Sequence, residues 1–177
     1  MNNKFIRDQR NPDKEMESIQ NLQQPQEMVP EKSLAVRDVE EWIERVSQSR
    51  PELRGFSICP FAKTGVYKII ECLAKDIEIE NGFDVIIYII EESDLDKINE
   101  WVNHYNKKYD EWLFFEDCAT YDTFIGEVQT NNGKHNLILA QPKEKLRKFR
   151  EILKKTSYYT FWSKEYYDEI MIDDQRA

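Results

Sequence analysis

The stretch Cys59-Pro60-Phe61-Ala62-Lys63 carries the most chemical content in the chain. Proline is tolerated in a helix's first turn, and a helix N-terminus favours a thiolate. A Cys-Pro step at a loop-to-helix junction can therefore present a reactive sulfur. Lys63 lies four residues on, where its charge would lower the thiol pKa further. Cys59 and Lys63 are the candidate catalytic residues. The competing reading is a buried cysteine that packs as a small hydrophobe between Ile58 and Phe61.

A thiol mechanism needs a base, and none is identifiable beside Cys59. His104 falls on the exposed or boundary face of a predicted helix and His135 beside a turn, so both are expected to be solvated. Cys118 follows Glu116-Asp117 at a strand end. As a resolving partner for Cys59 it would make a redox pair, but neighbouring carboxylates raise a thiol's pKa. Cys72 is expected in the core. Cys59, Cys118, His135 and Asp117 could form a metal site only if the fold gathered them, because no Cys-x-x-Cys or zinc spacing occurs. No metal is expected, and the motifs name no cofactor.

The 177 residues suit one domain plus a tail, and 40% hydrophobic residues can build one core. With 34 acidic against 25 basic residues the formal charge is −9, which argues against nucleic acid or anionic lipid as the main partner. The basic run Lys143 to Lys155 reads first as a solvated helix face, second as a contact for acidic groups of a partner or of this chain. Three widely spaced cysteines suggest a reducing, cytoplasmic setting. No apolar run supports a secretory signal or a membrane helix, so a soluble protein is expected. The partner is a small molecule or a protein that the sequence does not name.

The elements that must position Cys59 follow from periodicity. Residues 1–32 are polar and broken, and read as a disordered tail; the sharper alternative is a docking peptide using Phe5, Ile6, Met28 and Val29. Structure is expected from Ser33, with Val36, Val39, Trp42, Ile43 and Val46 on one helical face. Asp38-Val39-Glu40-Glu41 also matches a capping box, which would start the helix later. A Gly55-containing loop leads into Cys59. Residues 62–79 fit either a helix or a strand. Phe83 to Ile90 reads as a central strand covered on both faces. Ser93 can cap a helix over 95–107, with Asp94 and Asp96 at its positive end. Further strands are expected at Trp112–Phe115 and Asn136–Ala140, a hairpin arm at 123–129, and helices over 143–154 and 161–170. The last of these carries Tyr158, Tyr159, Phe161, Trp162, Tyr166 and Tyr167 nearby, a cluster docked on the sheet or a ligand-stacking surface. Residues 33–171 should form one domain, with a flexible end at 172–177.

Two folds fit this order. A helix over 62–77 gives thioredoxin-like order without its first strand and without a proline before Trp112. A strand over 66–75 gives a single-domain α+β sandwich, an antiparallel-rich sheet related to ferredoxin-like folds with helices packed on it. The two missing thioredoxin features favour the sandwich.

Trp42-Ile43-Glu44-Arg45, then Gly55, then Ile58-Cys59-Pro60-Phe61-Ala62-Lys63 resemble a bacterial family, domain of unknown function fourteen-fifteen. Its members pair a Trp-Leu-Glu-Arg helix with Gly-x-x-Leu-Cys-Pro-Phe-Ala-Lys. The resemblance covers residues 38 to about 70 and, more loosely, the strand to Ile90. It implies a strand after the cysteine segment and implies no reaction. The family's later His-Pro and Asn-Arg-Ser-Pro-Tyr-Pro elements have no counterpart here. Cys-Pro-Phe-Ala is also similar, over four residues, to the active-site motif of omega-class glutathione transferases. Two functions stand: a thiol-dependent protein acting through Cys59, or a non-catalytic binding or accessory protein in which this segment shapes a loop.

Overall fold

In a computed structural model, which describes residues 31–176, Ser33 starts the first helix, α1 (Leu34–Ser47). Its hydroxyl accepts the Val36 N–H at 3.1 Å and donates to the Glu71 carboxylate. Asp38 therefore sits inside the helix, and the capping-box start is corrected. The expected tail and its docking residues Phe5, Ile6, Met28 and Val29 fall within residues 1–30, outside the described residues. Residues 32–176 belong to one compact unit.

The ambiguous region resolves into a five-residue helix, α2 (Pro60–Thr64), and a strand, β1 (Tyr67–Cys72). The Gly65 N–H closes α2 on the Phe61 carbonyl at 2.8 Å, and the Asp84 carboxylate takes the next amide, Val66 N–H, at 2.8 Å. The chain leaves helical geometry there, so the thioredoxin-like alternative, which needs helix through residue 77, is overturned. β1 then pairs in parallel with β2 (Val85–Ile90), Tyr67 opposite Val85 and Cys72 opposite Ile90.

Next come α3 (Leu95–Lys108), β3 (Trp112–Asp117), a hairpin of β4 (Phe124–Ile125) and β5 (Val128–Gln129), and β6 (Asn136–Pro142). The cap of α3 is Asp94, whose carboxylate accepts the Asp96 and Lys97 amides, rather than Ser93, whose own amide donates to Glu92. β6 runs antiparallel between β2 and β3, giving a mixed four-stranded sheet of order β1-β2-β6-β3 in an α+β domain. α4 (Lys143–Lys154) follows β6, then a 3-10 turn (Tyr158–Phe161) and α5 (Lys164–Arg176). α5 starts where the Ser163 hydroxyl accepts the Tyr166 amide at 3.1 Å. Its backbone is helical from Lys164 to Arg176, which corrects the start at Phe161.

All six residues of β2 are buried because both faces of the sheet are covered. Ile86, Tyr88 and Ile90 join Ile98, Val102, Tyr105 and Phe114 under α3. Val85, Ile87 and Ile89 join Val39 and Ile43 under α1. This alternation is the period of two that a strand imposes on its side chains. No described helix is long and apolar enough to cross a membrane.

Candidate functional site

The face of the sheet under α1 is only partly filled. A cavity of about 350 Å³ opens there, within the range of small-molecule sites. Its floor is Val85 and Ile87 of β2, Leu139 and Gln141 of β6, and Leu113, Phe115 and Asp117 of β3. Trp42, Ile43 and Val46 of α1 form one wall. Cys59 to Ala62 form the second, and Leu146, Phe149 and Leu153 of α4 the third. Tyr158, Tyr159, Trp162 and Tyr166 close it from the C-terminal side.

Cys59 is held firmly in that wall. Its amide donates to the Val46 carbonyl at the end of α1 at 2.8 Å. The hydroxyl of Tyr158 donates to the Ile58 carbonyl, latching the aromatic segment to the residue before the cysteine. Phe61 packs on Phe149 with ring centroids 4.4 Å apart, joining α2 to α4. The aromatic run Tyr159–Trp162–Tyr166 continues this lining, with centroids 5.0 and 4.8 Å apart.

The electrostatics oppose a thiolate. Burial pushes the Cys59 thiol pKa up, and the neighbouring Ala62 and Phe61 amides only partly offset it. Lys63 points away: it is exposed, with its amine 3.4 Å from the Ser49 hydroxyl, and it does not figure among the influences on the thiol.

The other sequence-suggested groups are not gathered at Cys59. Cys118 is fully buried in the cluster under α3, across the sheet, where burial pushes its thiol up to about 11. Cys72 packs against that same cluster, and all three cysteines are free. His104 is exposed, edge-on to Trp101 and Tyr105. His135 is not free in solvent: its Nε2 lies 2.9 Å from the Asp38 carboxylate, which also pairs with Lys134 at 2.5 Å. Those two partners hold the Asp38 carboxyl below the usual carboxylate range. No group of three metal-ligating side chains occurs among the described residues. The basic face of α4 is partly used within the chain, by Lys145 on Asp84 and Lys148 on Glu144.

Asp117 was legible only as a neighbour of Cys118 and as a member of a conditional metal site with Cys59, Cys118 and His135. Alternation along β3 puts Leu113, Phe115 and Asp117 on the cavity face, and that is the signal that could have found it. Its carboxylate accepts the Asn132 amide at 3.2 Å and the Asn132 side-chain amide at 3.3 Å. Burial pushes it up to about 7, against those two bonds and the charge of Arg45. The turn carrying Asn132 is clamped by α1: Trp42 Nε1 donates to the Thr130 carbonyl at 2.9 Å, and Arg45 donates to the Gln129 and Asn131 carbonyls at 3.1 and 2.7 Å. Trp42 and Arg45 of the Trp-Ile-Glu-Arg segment thus position the polar end of the cavity, while Cys59 to Ala62 wall it. The chain matches no known protein-family model, no curated protein and no solved structure.

Proposed function

We propose that this protein binds a small apolar molecule in the cavity between the sheet and α1, α2, α4 and the C-terminal aromatic segment. In this reading the Cys59-Pro60-Phe61-Ala62 stretch shapes a wall and is not a catalytic nucleophile. The observation that carries it is the cavity of about 350 Å³ itself, lined by aromatic and aliphatic side chains with few polar groups. The raised Cys59 pKa and the absence of a base among the described residues near the thiol support binding over thiol chemistry. The thiol-dependent alternative keeps one supporting observation, that Cys59 lines the cavity. The resemblance of residues 38 to about 70 to domain of unknown function fourteen-fifteen falls on the same walls, and we propose it as a kinship of this site. Three unpaired cysteines support a cytoplasmic, reducing setting.

Tryptophan emission tests the reading, because Trp42 and Trp162 line the cavity while Trp101 of α3 and Trp112 of β3 belong to the cluster on the opposite face. Titration with 2-naphthylmethanol is expected to give a saturable change. Ala62→Phe, which fills the cavity, is expected to weaken it by about tenfold or more. No saturable change with wild-type protein up to the probe's solubility would overturn the proposal.

A further inference from the structure

We infer that Asp117 is the anchor for a positively charged head group, so that the cavity takes an amine whose apolar part fills the space beside it. This rests on the cavity-binding reading and adds the chemical class of the ligand.

Strand alternation turns Asp117 toward the cavity floor, beside Leu113 and Phe115. Glu116 also lines the cavity, and its carboxylate accepts the Tyr121 hydroxyl at 3.5 Å, so it carries a partner of its own. The donors to the Asp117 carboxylate are both neutral and both come from Asn132. No salt bridge to Asp117 occurs among the described residues. Arg45 is the cation that acts on it, but its Nη1 and Nη2 are committed to the Gln129 and Asn131 carbonyls, so it acts through space. Lys134 and His135, on the turn beyond Asn132, are taken up by Asp38. Cys118 and Tyr121 are further ionisable groups around this end, and burial raises both. Arg150 of α4 also lines the cavity, with its Nη1 donating to the Ile170 carbonyl at 3.1 Å.

A carboxylate drawn out of water at the polar end of an otherwise apolar cavity is stable as an anion only when something pairs with it. Two neutral amides are incomplete compensation, which is why burial pushes this carboxyl up to about 7. A ligand ammonium would supply the missing charge, and the aromatic lining favours a cation as well. A ligand carboxylate would place a second anion against the first. Because an ammonium draws Asp117 into its ionised form, binding releases protons, and affinity should rise between pH 6 and 8.

The test uses three probes of one shape, 2-naphthylmethylamine, 2-naphthylmethanol and 2-naphthoic acid, with calorimetric titration at pH 6 and pH 8. The amine is expected to bind about tenfold tighter than the alcohol at pH 8, with a smaller preference at pH 6. Asp117→Asn is expected to abolish the preference, with its urea unfolding midpoint showing that the fold is intact. If that variant does not fold, the pH dependence of the amine-to-alcohol ratio in the wild type decides alone. Equal binding of amine and alcohol, tightest binding by the acid, or a preference that survives in Asp117→Asn overturns the anchor and leaves the cavity reading standing. Failure of all three probes to bind overturns both.

Discussion

The two faces of the sheet are finished differently. Under α3 the side chains close completely: Tyr88, Tyr105, Phe114 and Ile138 are at most 1% exposed. Their polar atoms are matched too. The Tyr105 hydroxyl donates to Ala74 and accepts from Ile77, and Tyr88 donates to Glu78. Asn106 trades two hydrogen bonds of 2.8 Å with the Phe114 backbone and so caps the outer edge of β3 as a neighbouring strand would. On the other face α1 shares the cover with a five-residue helix, α4 and the C-terminal segment, and these leave a space of about 350 Å³. One long helix with an even apolar stripe can fill a sheet face. Several elements from distant parts of the chain meet at their ends, and the gap between them is where a ligand fits.

Truncation should separate the faces most sharply. Phe114→Ala, on the closed side, is expected to cost about 3–5 kcal/mol, because it removes a ring from dense packing. Phe149→Ala, already beside open space, is expected to cost less than about 2 kcal/mol and to change probe affinity instead. Urea unfolding of both variants measures the contrast, and equal losses would break it.

The cysteines give the next contrast. Cys59→Ser is expected to cost about 1–2 kcal/mol, since it places a hydroxyl in an apolar wall, while probe binding survives. Under thiol catalysis the same change would spare stability. Thermal denaturation with a binding titration separates the two.

Asp117 supplies a pH signature. Its carboxyl is about 7 when folded against a usual 3.8, so the folded state holds the proton more tightly than the unfolded chain. The favourable contribution is complete below the unfolded value and is lost as pH rises from about 4 to 7. Asp117→Asn should flatten that decline and gain on the order of 1–2 kcal/mol at pH 8 in denaturation curves. A decline of unchanged slope would remove Asp117 from the account.

Asp38 behaves oppositely and weakly. Lys134 and His135 lower its pKa, so its contribution is present above the usual carboxylate range and is lost as pH falls through the folded value. The pairs are close to solvent, so Asp38→Asn should move the melting temperature by no more than about two degrees. A larger shift would show that this clamp holds the polar end of the cavity.

Local signals read well in this chain. The start of structure at Ser33, the β2 run and the α4 boundaries at Lys143 and Lys154 all depend on neighbours within a few residues. The strand at 67–72 was ambiguous because its partner, β2, lies 18 residues away, and only pairing with it decides between two local preferences. Lys63 misled because spacing along a helix says nothing about a five-residue helix whose last turn faces solvent. Cys59 was found from its motif, but its enclosure by α1, α4 and Tyr158 is tertiary. Asp117 needed the alternation of β3 together with the knowledge of which face stays open.

Alkylation of Cys59 in the native protein, followed by peptide mass mapping across pH, tests the central claim most directly. Iodoacetamide should react slowly at pH 7, with a rate that climbs only above the reference thiol pKa of about 8.5 and falls further when 2-naphthylmethanol saturates the cavity. Fast reaction at pH 7, unaffected by the probe, would contradict both the buried neutral thiol and its place in the wall of a binding site.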